Sequence, residues 1–231
     1  MAKLKRLLAP KFWKVPKKIM KFIVSPRPGP HKKFESIPLQ IIMRDILKLA
    51  ETGKEAKLVI KTGEVLIDGK IRKDHAFPVG LFDSIALPKI KKFYRVVPTE
   101  KGLELKEISK EEASLKICKI ENKKILKKGK TQLNLHDGRN LLVEKDVYKT
   151  GDSLLIKLPE QKILEHVKLE IGNLALIAKG KNSGKIVKIE GIVKGVKLNK
   201  VICKLDDKKI DLVKDFVFVV GKDKSLISFG E

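Results

Sequence analysis

The chain has 231 residues, with 52 Lys and Arg against 28 Asp and Glu, a formal charge of +24, and 42% hydrophobic residues. The length and apolar content allow one to three small domains with cores of their own, while the cationic excess marks a surface that attracts nucleic acid or anionic membrane. Aromatic residues are only 5%, so phosphate contacts, not base stacking, are expected to carry most of any nucleic-acid affinity. No apolar run is long enough for a secretory core or a membrane span. The two cysteines, Cys118 and Cys203, lie far apart and form neither a disulfide framework nor a zinc pattern, the usage of a reducing interior.

Residues 1–38 hold eleven Lys or Arg, one acid (Glu35) and six of the ten prolines. Prolines at that density prevent one long helix. The segment reads as a basic extended arm that orders along nucleic acid. Lys3, Lys5, Arg6, Lys11, Lys14, Lys17, Lys18, Arg27 and Lys32 are its candidate phosphate contacts. Phe12, Trp13, Phe22 and Phe34 favour an arm over a solvated tail, which has little use for aromatic rings. An amphipathic membrane helix could begin at KLKRLLA, but Pro10 stops it.

After Pro38, LQIIMRDILKLAE places Leu39, Ile42, Met43, Ile46, Leu47 and Ala50 on one helical face. The expected helix starts at Pro38 and ends at Gly53, with Arg44 and Lys48 as a basic pair outside the apolar stripe. A second short helix packs Ala56, Val59 and Ile60, presents Lys54, Lys57 and Lys61, and stops at Gly63. A hairpin follows, turning at Asp68-Gly69, where both residues need positive φ. Its return arm carries Lys70, Arg72 and Lys73, and a second turn lies at Gly80. A helix and a hairpin offering positive charge together suit a curved polyanion better than a small substrate.

From Lys91 the pattern is β. FYRVVP and LELKEI flank a turn ending at Gly102, and Ser109 with Glu112 fits a capping box for one helical turn. LKICKI, TQLNLHD, NLLVEK, SLLIKL and ILEHVKL follow, punctuated by Gly129, Asp137-Gly138, Gly151-Asp152 and Pro159. Short strands at this spacing predict a small barrel or sandwich. From Ile171, two β runs flank a loop bearing Lys179, Lys181 and Lys185. VICKLDDKKIDLV is a further hairpin and FVFVVG a fully buried strand, so the last segment suits a small SH3-like barrel.

Enzymatic chemistry finds little support. GKNSGK fails as a phosphate loop: three residues separate Gly180 from Gly184, Ile186 follows Lys185, and a strand rather than a helix comes next. His31, His75, His136 and His166 lack partners at metal-ligand spacing, and no serine sits in a nucleophile elbow. Neither a metal nor a cofactor is expected.

In order along the chain, KLKRLLAPKFW, SPRPGPHK and IPLQIIMRDILKLA resemble the amino-terminal part of the archaeal and eukaryotic small-subunit ribosomal protein four family, S4e. IDGKIRKDHAFPVGLFDSI is similar to its version of the RNA-binding domain shared with bacterial ribosomal protein four, pseudouridine synthases and tyrosyl-tRNA synthetases. EEASLKICKI resembles the start of its central domain. GNLALIAKGKNSGKIVKI is similar to the KOW motif, with Gly184 at the central glycine, and FVFVVGK to the closing strand. Ending at Glu231 without the basic extension of eukaryotic members, the chain points to the archaeal type.

The resemblance implies an α+β, mostly β protein. Its expected parts are a basic arm (1–38), a helix-helix-hairpin S4-type domain (39–98), a central β domain (99–170) and a KOW, SH3-like barrel (171–231). It implies a structural component of the small ribosomal subunit, without catalysis, cofactor, metal or small-molecule substrate. Partners would be small-subunit rRNA and neighbouring ribosomal proteins, in the cytoplasm and away from membranes. The RNA-binding residues it carries over are Lys3, Lys5, Arg6, Lys11, Trp13, Arg27, His31, Arg44, Lys70, Arg72, Lys179, Lys181 and Lys185. The competing readings are a transiently bound KOW-type transcription or translation factor and an RNA-modifying enzyme using an S4-type domain as its handle. The second would need a catalytic core for which the β-rich 100–231 segment offers little room.

Overall fold

In the computed structural model the chain forms two compact units, Met1–Val97 with Lys101–Ser114, and Pro98–Glu100 with Leu115–Glu231. The structure describes residues 3–126, 129–144, 146–193, 195, 199–205 and 208–229. It is mostly β, with few helical turns.

Unit one begins with β1 (Lys3–Lys5) and β2 (Phe22–Val24), antiparallel with Leu4 opposite Ile23. Both of those side chains are buried, so strand alternation sends Lys5 and Phe22 to the other face. Between the strands the prolines leave room only for two 3-10 turns, Arg6–Leu8 and Lys11–Trp13. Lys14 ends the second turn in the left-handed conformation. Trp13 is 0% exposed, and its indole Nε1 donates to the Ser36 carbonyl at 2.9 Å. Phe12 lies against Gly102, where an added Cβ would stand 2.2 Å from the Phe12 Cβ.

Leu4, Ala9, Trp13, Val15 and Ile23 share one apolar cluster with Ile37, Leu39, Ile42, Met43 and Ile60. The expectation of an extended arm is therefore corrected. Proline blocks a long helix but not short turns, and the apolar residues between the lysines fill a core that lysine cannot enter.

The chain from Ser25 to Pro38 is latched onto the rest of unit one. The Arg27 amide donates to the Ala76 carbonyl at 2.9 Å, and its guanidinium meets Asp74 at 3.1 Å. The His31 Nε2 stands 3.0 Å from both Asp83 oxygens, and Asp83 also accepts from the Gly80 amide at 2.9 Å. Gly80 lies beneath the imidazole, where a Cβ would come within 2.2 Å of the ring. Strands β3 (Ile37–Pro38) and β6 (Pro78–Val79) then pair.

The single helix expected from Pro38 to Gly53 is not formed. Helix α1 (Leu39–Ile41) passes into a π-helical turn, Ile42–Ile46, and Lys48 leaves it at φ 53°. The competing local signal is a capping box. The Thr52 hydroxyl accepts from the Glu55 amide at 3.2 Å, and the Glu55 carboxylate accepts from the Thr52 amide at 3.3 Å. This recruits Gly53 as the first residue of α2 (Gly53–Lys61) instead of a stop.

Strands β4 (Leu66–Ile67) and β5 (Lys70–Ile71) join through Asp68 and Gly69 at φ 52° and 73°. The Asp68 carboxylate accepts from the Ser84 amide at 2.9 Å, which ties the turn to the next strand. With β7 (Ser84–Leu87), β8 (Lys92–Thr99) and β9 (Gly102–Glu107) they form a sheet of order β5-β4-β7-β8-β9. The expected cap appears as a bond from the Glu112 amide to the Ser109 hydroxyl at 3.2 Å, ahead of a 3-10 turn.

Unit two holds two five-stranded sheets. The first has the order β12-β11-β10-β13-β14, built from β10 (Leu115–Ile125), β11 (Thr131–Leu135), β12 (Asn140–Val143), β13 (Ser153–Lys157) and β14 (Lys162–Val167). Alternate residues Cys118, Ile120, Leu133, Leu135, Leu154 and Ile156 form its core. The second has the order β18-β17-β16-β15-β19, from β15 (Leu174–Ile177), β16 (Ile186–Val193), β17 (Lys200–Leu205), β18 (Lys208–Val213) and β19 (Val217–Gly221). β17 and β18 form the expected VICKLDDKKIDLV hairpin; residues 206 and 207 between them lie outside the described residues.

Two buried cations organise this unit. The Lys116 ammonium meets Asp137 at 3.1 Å, both side chains 1% exposed, and the Arg139 Nε adds a second contact at 3.2 Å. Burial opposes ionisation of Asp137, but Lys116, His136 and Arg139 together outweigh it and hold the carboxyl at about 2. The Lys119 Nζ donates to the carbonyls of Lys214 at 3.0 Å, Asp215 at 3.2 Å and Val217 at 3.0 Å. Burial brings that ammonium down to about 8. The clamp joins β10 of the first sheet to the entry of β19 in the second.

The loop between β15 and β16 is tightly turned. The Gly184 amide donates to the Ile177 carbonyl at 2.8 Å and the Ser183 hydroxyl to the Ala178 carbonyl at 3.1 Å. Gly184 has φ +89°, and an added Cβ would stand 2.6 Å from the Pro98 carbonyl oxygen. Backbone conformation and space thus both demand glycine.

Substituting Asp137 with Asn removes the carboxylate that both cations face. It should cost about 3–5 kcal/mol at neutral pH in urea unfolding. A carboxyl whose folded pKa is depressed contributes stability above its unfolded value, about 3.9. The gap between parent and variant should therefore close as pH falls from there through about 2. Gly184→Ala should cost roughly 1–3 kcal/mol for a strained positive-φ residue, or more with the clash, read as a lowered thermal midpoint.

Candidate nucleic-acid interface

Helix α2 buries Ala56 and Ile60 and turns Lys54 and Lys61 to solvent, with Lys57 half-buried beside them. The hairpin return arm exposes Lys70 and Lys73. His75 lies within the field of part of this set. Burial lowers its pKa first, and Lys57, Arg27 and Lys61 lower it further against the opposing pull of Asp74. The helix and the 27 loop therefore direct their positive fields at one place.

The candidate cations fall into two groups. Lys5, Lys11, Lys18, Lys32, Lys48, Lys61, Lys70, Lys73 and Lys181 are exposed, with Lys17 and Lys57 half-buried. Among the described residues none of these eleven has a carboxylate partner, so their ammoniums remain available to a polyanion. The others are engaged inside the protein. Lys14 pairs with Glu104, Arg27 with Asp74, and Arg44 with Asp45 at 2.7 Å. Lys185 meets Glu100 at 3.3 Å, an exposed pair that an anion can exchange. The Arg72 guanidinium lies 4.5 Å from the Phe77 ring centroid. Lys179 is exposed on the β15–β16 loop.

Three of the expected contacts are buried in the fold. Trp13 is core, Arg6 is 4% exposed, and the His31 side chain is 6% exposed against Asp83. Each has a basic or aromatic neighbour in sequence that does reach solvent, which is why composition alone could not separate them. The Lys3 side chain lies outside the described residues. Lys21 and Lys33, absent from the candidates, are exposed beside them, as is Lys54 on α2. The signal for Lys21 and Lys33 was their place next to Phe22 and Phe34.

Among the described residues, Cys118, His136 and Asp137 bring donor atoms within 4.8 Å of one another. The Lys116 ammonium and Arg139 guanidinium already occupy Asp137, and a metal cation there would meet two fixed positive charges. Among those residues no helix is long and apolar enough to cross a membrane.

Comparison with known proteins agrees with the basic, mostly β architecture. Residues 90–163 match the model described as Ribosomal family S4e, and residues 2–34 the RS4NT (NUC023) domain. The chain is 47% identical over 232 residues to small ribosomal subunit protein eS4 of Archaeoglobus fulgidus, covering 98% of this chain and 97% of that one. With the protein of the same name from Methanocaldococcus jannaschii the identity is 47% over 234 residues, covering 97% and 96%. The crystal structure of 30S ribosomal protein S4e from Thermoplasma acidophilum superposes with a TM-score of 0.73 at 33% identity, over 82% of this chain and 96% of that chain. Near-complete coverage at this identity establishes the relationship: the chain belongs to the ribosomal S4e family.

Proposed function

We propose that the chain is a structural component of the small ribosomal subunit. It binds rRNA mainly through phosphate contacts and supports subunit assembly and translation, acting on the ribosome in the cytoplasm beside neighbouring ribosomal proteins. The observation that carries this reading is the set of lysines that, among the described residues, have no carboxylate partner: those of the first 32 residues, α2 and the hairpin return arm, with Lys181 on the β15–β16 loop. Such a surface neutralises phosphates that would otherwise repel one another, and it needs no catalytic group. Residues 39–98 are read as the S4-type RNA-binding module, 99–170 as the central domain and 171–231 as the KOW-type barrel.

Deleting residues 1–38 would remove Trp13, Leu4 and Ile37 from the core, so point variants are the cleaner test. The quadruple variant K11Q/K18Q/K70Q/K73Q should lower the slope of log affinity for small-subunit rRNA against log salt by about 3, at roughly 0.7–0.9 per lost phosphate contact. An unchanged slope and affinity would overturn phosphate binding by these residues. Co-sedimentation with small subunits should survive a high-salt wash; release at moderate salt would instead indicate a transient factor. Without RNA, K57Q/K61Q should raise the NMR titration midpoint of His75, because both lysines depress it.

A further inference from the structure

The four aromatic rings of the amino-terminal segment divide into two pairs. Trp13 is fully buried and Phe12 packs against the same core, so the fold accounts for both. Phe22 and Phe34 are 42% and 63% exposed. Phe22 stands on the outer face of β2, where any strand-forming residue would maintain the ladder. Phe34 stands on a 3-10 turn, Lys33–Glu35, that buries none of its residues. Neither ring belongs to the apolar cluster that takes Trp13 and Phe12.

Each exposed ring carries an ammonium. The Lys21 Nζ lies 5.6 Å from the Phe22 centroid, and the Lys33 Nζ lies 5.6 Å from the Phe34 centroid. Lys5 is the ladder partner of Phe22, on the same face, where directly opposed side chains lie roughly 5 Å apart at Cβ. Lys32 is exposed one residue before Lys33. An accessible ring with a flexible cation beside it matches the two halves of a nucleotide: the base stacks on the ring and the ammonium reaches its phosphate.

We infer that Phe22 and Phe34 are stacking platforms for unpaired RNA bases, flanked by Lys5, Lys21, Lys32 and Lys33 for the adjoining phosphates. The inference rests on the rRNA-binding reading above and adds to it a stacking contact that is not ionic. Leu7, Leu8, Ile19 and Met20 are also exposed on this segment, which makes a protein neighbour the competing occupant. The charge decides between them, because eleven cations and one carboxylate in residues 1–38 select a polyanion.

The test uses the full chain and small-subunit rRNA, with affinity measured across a salt series. F22A and F34A should each weaken binding about five- to a hundredfold, the range for loss of one stacked base, with the salt slope of the parent. F34W should bind like the parent and F34L like F34A; both keep an apolar side chain on an exposed turn, so folding is not at issue. K21Q or K33Q should lower the slope instead. Parent-like affinity of the F22A/F34A double variant, or equal affinity of F34L and F34W, would overturn the inference. Normal binding to naked rRNA with depletion from assembled subunits would also overturn it, in favour of a protein neighbour. A shallow salt slope in the parent would refute the broader rRNA reading, whatever the phenylalanine variants did.

Discussion

The structure depends on where a chain of charge +24 places its few carboxylates. Among the described residues the buried carboxylates are all aspartates, Asp68, Asp83, Asp137 and Asp152, and each closes a local structure. Asp68 fixes the hairpin turn to β7, and Asp83 holds His31 and the Gly80 amide. Asp137 neutralises Lys116 and Arg139. Asp152 takes His166 at 2.8 Å together with the Lys149 and Leu169 amides. A buried carboxylate is tolerable only with such partners. At Asp137 two cations that would otherwise repel one another are drawn inward, and Lys119 is held inside by backbone carbonyls instead.

That division links fold to function. In unit one, the His31–Asp83 and Arg27–Asp74 contacts and the burial of Trp13 anchor a segment that would otherwise be too charged and too proline-rich to order. Anchoring presents Lys5, Lys11, Lys18 and Lys32 from a defined surface, so a ligand bound there would cost less chain entropy than on a free arm. In unit two the Gly184 turn shapes the β15–β16 loop, which carries exposed lysines of its own.

The comparison of neighbouring residues shows how closely core and interface are interleaved. Lys14 pairs with Glu104 while Trp13 beside it is buried, and Lys5 is exposed while Leu4 and Arg6 are not. Alternation at this scale means that a residue's role follows from its direction off the backbone and not from its position in a basic run.

Much was legible in the sequence because it is set locally. The Asp68-Gly69 turn follows from positive φ, the β strands from period-two alternation, and the phosphate preference from net charge. The lysine clusters on α2 and on the hairpin return arm were legible for the same reason. Other features needed the tertiary structure. The Thr52–Glu55 cap overrode the apolar periodicity that ran toward Gly53. The basic amino-terminal segment became part of a core because distant partners, Ile42, Ile60 and Gly102, accept its apolar side chains. Among the candidate contacts, Trp13, Arg6 and His31 were separated from their exposed neighbours only by packing. Periodicity, turn chemistry and charge are properties of short stretches, which the sequence states directly. Burial and ion pairing depend on residues far along the chain, so only the folded structure decides them.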